Sequence, residues 1–333
     1  MQRIVKYRTA FITTLFTSLA ILGATPSHAK SAISINMDND WVTGTDEDYT
    51  NGFAIRYGQN IDNDHPIRSA LPHRFWSEPN SHALKWGVEI GQKMWTPKTL
   101  GAATTLKNER PYAGLLYVDF SLTESTPKIA HSYSMLFGTT GERSYAENTQ
   151  IHFHKLFDSV NSKGWDTQIE DKWVFAFSYK GDYKLYRSEQ ATRTAQHEIS
   201  NSSRIVAGNY RSELASGILW RWGNDLSNSF GSASINNEMP FDARMLNGNS
   251  SGLFLFSGLE ARVRFNDITI DGDRPKDLPA VTLETWQATV VVGIAKYNQS
   301  WGGSFSFAVK TNDYQQSQDS FAANASMAIF YRF

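Results

Sequence analysis

The sequence of 333 residues contains no cysteine, so it offers no disulfide scaffold, no thiolate metal site and no cysteine nucleophile. It also has little net charge, with 32 Lys and Arg against 33 Asp and Glu. That leaves no basic field for nucleic acid. Beyond residue 29 it lacks any apolar run of about 18 residues, the length a spanning helix needs. A mean hydropathy of −0.42 is likewise too polar for a bundle of membrane helices. Aromatic residues, by contrast, make up 13% of the chain. A disordered chain is starved of them, so disorder is excluded.

Residues 1–29 read as a secretory signal. Arg3, Lys6 and Arg8 give a positive start, Ala10 to Gly23 is apolar, and Ser27-His28-Ala29 supplies small residues at a cleavage site. The apolar stretch is too short for a transmembrane anchor. Residues 30–333 are expected to form one domain. It holds 29 basic and 33 acidic residues, a net charge of −4.

That domain alternates. Leu84–Lys93, Leu115–Leu122, Lys172–Lys180, Gly252–Phe265, Thr285–Tyr297 and Ser304–Lys310 each present one apolar face and one small or polar face. The last stretch is the clearest. Met327, Ile329, Tyr331 and Phe333 share a face opposite Ser326, Ala328 and Arg332, with Phe330 the exception. A soluble β-sandwich alternates in the same way. Three features favour a transmembrane antiparallel β-barrel of the outer-membrane type. One is the signal segment. Another is the placing of Trp86, Trp95, Trp173, Trp220, Trp222, Trp286 and Trp301 near strand ends. The third is the aromatic final strand, which resembles the assembly signal of bacterial outer-membrane proteins.

Strands are expected near 32–38, 50–60, 82–93, 112–123, 129–139, 172–186, 196–208, 211–222, 252–266, 283–297, 301–311 and 320–333. The count of about 12 is even, as single-chain bacterial barrels require. With the N-terminus on the periplasmic side, the connections 39–49, 94–111, 140–171, a tight turn near 209, 267–282 and 312–319 face outward. Two inward connections, 61–81 and 223–251, are long for periplasmic turns.

Polar residues collect in three of the outward loops. Asp40, Asp46, Glu47 and Asp48 put four carboxylates within nine residues. This suits a hard cation such as Ca²⁺, although a solvated hairpin loop is equally rich in Asn, Asp and Gly. Glu109-Arg110 stands just before a strand, where a structural ion pair competes with binding of an anionic head group. The third loop carries the one helical pattern, Tyr145 to Val160. Gln150 and His154 fall on one face at i, i+4 spacing, with Ala146 or Asp158. A His on such a helix is either a general base or an ordinary partly exposed residue. His152 points elsewhere and reads as ordinary; a zinc-binding His-x-His strand is disfavoured by the helical flanks.

Taken together, Asn39-Asp40, Asp48-Tyr49-Thr50-Asn51-Gly52, Glu109-Arg110-Pro111-Tyr112-Ala113-Gly114, Gln150-x-x-x-His154 and Gly164-Trp165-Asp166-x-Gln168 resemble the lipid A 3′-O-deacylase family of outer-membrane proteins, LpxR type. The resemblance runs over essentially the whole chain after the signal. It implies a twelve-stranded barrel and a Ca²⁺-dependent esterase that removes the 3′-acyloxyacyl chain of lipid A in lipopolysaccharide of the outer leaflet. By motif, His154 matches the water-activating histidine and Gln150 the residue that supports the site. Asn39 and Asp40 match the Asn-Asp pair, with Asp40 the metal ligand, and Thr50 matches the threonine of the Asp-Tyr-Thr motif. One departure stands out: Val160 occupies the place of a glutamate near the metal in the family pattern.

The chemistry agrees with that resemblance. With no Cys and no Gly-x-Ser-x-Gly elbow, a water activated by His154 is the economical nucleophile. Two other readings remain open. An outer-membrane phospholipase would use a His-Ser pair, and His131-Ser132 falls in an expected strand. A non-enzymatic pore or adhesin is the other. No partner beyond the membrane lipid is implied, and a monomer is expected.

Overall fold

A computed structural model describes residues 30–40, 48–62, 64–66, 83–103, 107–157, 162–189, 195–275 and 278–333. The secretory-signal reading of residues 1–29 lies outside the described residues. Twelve strands close into a single antiparallel barrel. They are β1 (Ser31–Asn39), β2 (Asp48–Asn60), β3 (Ala83–Thr96), β4 (Ala113–Ser125), β5 (Ile129–Thr140) and β6 (Trp173–Arg187), followed by β7 (Gln196–Gly208), β8 (Arg211–Gly223), β9 (Gly252–Asp267), β10 (Trp286–Tyr297), β11 (Trp301–Thr311) and β12 (Phe321–Arg332). Each pairs with its neighbour in sequence, and β1 pairs with β12 from Ala32↔Arg332 to Asn39↔Ala325. Closure leaves no sheet edge, the condition for crossing lipid with strands. Among the described residues no helix is long and apolar enough to cross a membrane.

The alternation sorts side chains as its period requires. Ile35, Ile55, Ile90, Phe120, Leu259 and Val292 are exposed on the outer wall. Trp173, Trp286 and Phe321 ring the end that carries the long loops, and Trp86, Trp222 and Phe333 ring the end that carries the termini. Two such aromatic girdles flank the apolar band of a transmembrane barrel. Trp95 departs from this expectation. It is 1% exposed and turns into the barrel, tilted against Tyr49 at 5.6 Å between ring centroids.

The long inward connection between β8 and β9 is not a periplasmic turn. Residues 224–251 fold back into the lumen as a plug. Leu226, Ile235, Phe241 and Leu246 pack there against Phe254, Phe256 and Phe330 of the wall. Phe330, the exception in the last strand, is inward because it stacks on Phe241 at 5.7 Å. Gly217 and Gly258 let the plug approach: a Cβ on either would stand 2.7 or 2.6 Å from Ile235. Lys85 Nζ holds the plug by donating to the carbonyls of Arg244 and Leu246 at 2.5 and 2.6 Å.

The rest of the lumen is filled by buried ion pairs. Glu238, at the plug's tip, accepts from Lys93 Nζ at 2.7 Å and from Arg211 Nη1 at 2.8 Å. Arg211 continues to Asp267 at 2.9 Å, and Arg264 joins Asp267 to Glu213, both at 2.9 Å. Charges taken out of water persist only when paired in this way. An ion path through the barrel is therefore blocked by packed side chains. The purified protein in planar bilayers is expected to show no porin-like conductance steps. Reproducible steps would mean that residues 224–251 leave the lumen.

Candidate functional site

The third outward loop docks a helix, α1 (Ala146–Phe157), on the outside of the barrel wall. The first contact is set by Gly114 at the start of β4. A Cβ there would lie 2.1 Å from Ser144 Oγ and 2.5 Å from the Ala146 Cβ, so only glycine lets the helix start this close. Gln92, on the outer face of β3, donates to the Ser144 carbonyl at 2.6 Å. Met94, Leu100, Tyr112, Ala146 and Trp165 then form one buried cluster between wall and helix.

The helix register agrees with the sequence pattern. Ala146 and Gln150 are buried, whereas His152 is exposed and its ring Nδ1 bonds the Asn148 carbonyl at 2.6 Å. Position 154 is one turn beyond Gln150 on the same helical row. The His154 side chain lies outside the described residues, as do Asp158 and Val160. The Glu147 carboxyl in the first helical turn is raised by burial, and further by the nearby charges of Asp166 and Glu142.

Gln150 is clamped by Trp165, a residue whose own spacing in the sequence gives no sign of this role. Trp165 Nε1 donates to Gln150 Oε1 at 2.7 Å, and the Trp165 ring lies on Tyr112 at 4.9 Å between centroids. An indole N–H only donates. The carbonyl end of the Gln150 amide must therefore face Trp165, which turns the NH₂ end the other way. That nitrogen is buried and has no hydrogen-bond partner among the described residues. A buried donor left unpaired costs about 1–3 kcal/mol and asks for an explanation.

The strand residues converge at the loop end of β1, β2 and β3. β2 carries a bulge between Tyr49 and Asn51, which makes Thr50 the extra residue. The Thr50 carbonyl accepts from Asn39 Nδ2 at 3.0 Å and from the Asp40 amide at 3.4 Å. The Thr50 hydroxyl meets Thr96 Oγ1 at 2.6 Å. Asp40, Thr50 and Thr96 are all buried. Inside the wall, Tyr49 donates to Asp38 at 2.8 Å, which pins β1 to β2 from the other face. Asn39, Asp40 and Thr50 are thus brought into one cluster at the loop end of β1–β3, and Gln150 into a second on α1 that packs over β3 and β4. Glu109 and Arg110 do not pair with each other. Glu109 caps Thr99, accepting from its amide at 3.0 Å and its hydroxyl at 2.6 Å, and Arg110 reaches Thr269 Oγ1 at 3.1 Å and Asp313 at 3.4 Å. Glu109 thus closes its own loop, and Arg110 ties that loop to the β9–β10 and β11–β12 connections.

Residues 10–333 match the family model described as outer membrane protein LpxR. The chain belongs to the LpxR family. It is a protein of the bacterial outer membrane, and its twelve-stranded barrel is that of the family. LpxR from Salmonella typhimurium superposes with a TM-score of 0.77 at 14% identity, over 91% of this chain and 100% of that one. The beta domain of the Bordetella autotransporter BrkA aligns over 92% of this chain and 99% of that one, with a TM-score of 0.43 at 9% identity. No curated protein sequence matches the chain. In this LpxR-family barrel the strand and helix clusters stand on the outer wall, and the lumen is closed beneath them.

Proposed function

We propose that this protein is a lipid A deacylase, hydrolysing the ester-linked 3′-acyloxyacyl chain of lipid A within the outer leaflet. The observation that carries this reading is the position of the polar cluster. Asn39, Thr50 and Thr96 stand on the lipid-facing side of the wall, at the loop end of the same β3 that α1 packs against, not in the lumen. An enzyme placed there meets an acyl ester at the membrane surface without extracting the lipid. A pore or a ligand channel would need its polar groups inside an open barrel, and residues 224–251 fill that space. Family membership and the motif resemblance point to the same substrate.

In this reading His154 takes the proton from the attacking water, and Gln150 holds that part of the site in register. Asn39 and Thr50 are bonded to each other and shape the strand side of the cleft. The donors around Asp40 are suited to Ca²⁺. They comprise a buried carboxylate, amide and hydroxyl oxygens, with no sulfur or imidazole in the strand cluster. Among the described residues no three acidic or histidine side chains converge; Asp46, Glu47 and the Asp48 side chain lie outside the described residues. When bound, Ca²⁺ would supply a Lewis acid to polarise the ester carbonyl.

Mass spectrometry of lipid A from cells with and without the protein tests the activity. Loss of the 3′ acyloxyacyl group is the expected result. Unchanged lipid A together with fatty-acid release from glycerophospholipid would instead establish a phospholipase. For the metal, Asp40→Ala is expected to lose roughly 10²-fold or more in rate while still folding as a heat-modifiable barrel. Undiminished deacylation in excess chelator would refute the Ca²⁺ role.

A further inference from the structure

We propose that Thr96 is a positioning residue of the site, acting through the hydroxyl of Thr50; this rests on the hydrolase reading above. β2 and β3 pair residue for residue from Asn60↔Lys85 to Asn51↔Met94, and the next pair is Tyr49↔Trp95. Thr50 has no opposite number. Bulges of this kind re-aim a side chain and recur beside active sites.

Here the bulge has a definite consequence. Tyr49 stays inward, bonded to Asp38 and tilted against Trp95. Thr50 turns to the outer wall, where Thr96, the last residue of β3, is the group its hydroxyl meets. Thr96 is 0% exposed. Its contact with Thr50 is between two hydroxyls at 2.6 Å, at the short end for a bond of this type.

A hydroxyl carries one proton and two lone pairs, and it rotates until a partner fixes it. Two hydroxyls in contact share a single proton between their oxygens. The other proton is then directed away from the pair, along a line that the contact determines. Thr96 thus sets the direction in which Thr50 donates or accepts. The same Thr50 residue holds Asn39 and Asp40 through its carbonyl. One bulged residue therefore links three members of the strand cluster, and Thr96 is the group that orients its side chain. Packing alone does not call for a hydroxyl at 96, since valine fills the same volume.

The test uses the full-length protein and the rate of 3′ acyl release from purified lipid A, with heat-modifiable migration as the check on folding. Thr96→Val removes the hydroxyl and keeps the shape. It is expected to lower kcat/KM by about tenfold, the size of one neutral hydrogen bond. Thr96→Ser keeps the hydroxyl and is expected to restore the rate. In a Thr50→Val background Thr96→Val is expected to have no further effect, because the group it orients is already gone. Thr96→Ala provides a second hydroxyl-free variant should the valine fail to fold. An equal loss in both backgrounds, or serine no better than valine, would overturn the proposal and leave Thr96 as packing. A wild-type protein with no deacylase activity overturns the hydrolase reading and this inference with it. An active wild type indifferent to residue 96 overturns the inference alone.

Discussion

Replacing His154 with alanine is expected to slow 3′ acyl release by about 10²–10⁴-fold, the usual contribution of a positioned general base. Two neighbours supply the controls. His152 is exposed and bonded to the carbonyl of its own helix turn. It points about 160° away from position 154 by the 3.6-residue period, so His152→Ala should lose far less. Gln150→Ala should fall between the two. It removes an amide that Trp165 holds from one side, but it takes no proton itself. Acyl release from purified lipid A, measured for the three folded variants, checks the order. A dead His152→Ala beside an active His154→Ala would show that the base has been misassigned.

How readily each part can be read from sequence depends on the range of the contacts that create it. The strands depend on period-2 burial against lipid, a local signal, and each expected strand overlaps an observed one. Their bounds shift where polar residues extend the ladder: β2 begins at Asp48, whereas the alternation begins at Thr50. The helix is equally legible, because Ala146 and Gln150 recur at four-residue spacing and are the residues that bury. The plug is different. Residues 224–251 have neither strand nor helix period, and Ile235 or Phe241 acquire a partner only once the barrel has closed around them. The inward charges were visible only as a polar face. Which of Arg211, Glu213, Arg264 and Asp267 would meet depends on the register of β8 on β9 and on the plug's tip. Thr96 has no spacing signature of its own, and Trp165 stands out only within the Gly164-Trp165-Asp166-x-Gln168 motif, which does not reveal its bond to Gln150. The first matters through a bulge and the second through a single indole bond, and both are products of tertiary contact.

Removing the carboxylate at the plug's tip is expected to be among the most destabilising single changes in the lumen. Glu238 is the shared acceptor of Lys93 at 2.7 Å and Arg211 at 2.8 Å, and all three side chains are nearly inaccessible to water. Glu238→Leu strands the Lys93 ammonium and leaves Arg211 with Asp267. Breaking a buried pair from one side costs about 3–5 kcal/mol, because the surviving charge remains desolvated. Removing both sides costs much less, since an apolar pair of similar volume replaces the ion pair. The double variant Lys93→Met with Glu238→Leu is therefore expected to recover most of the loss. Denaturant-driven unfolding in phospholipid vesicles, scored by heat-modifiable migration, gives the three stabilities. A neutral Glu238→Leu would mean that water reaches Lys93 and that the lumen is wetter than its packing implies. A double variant as unstable as the single one would locate the effect in the plug backbone, because the stranded ammonium would already be gone.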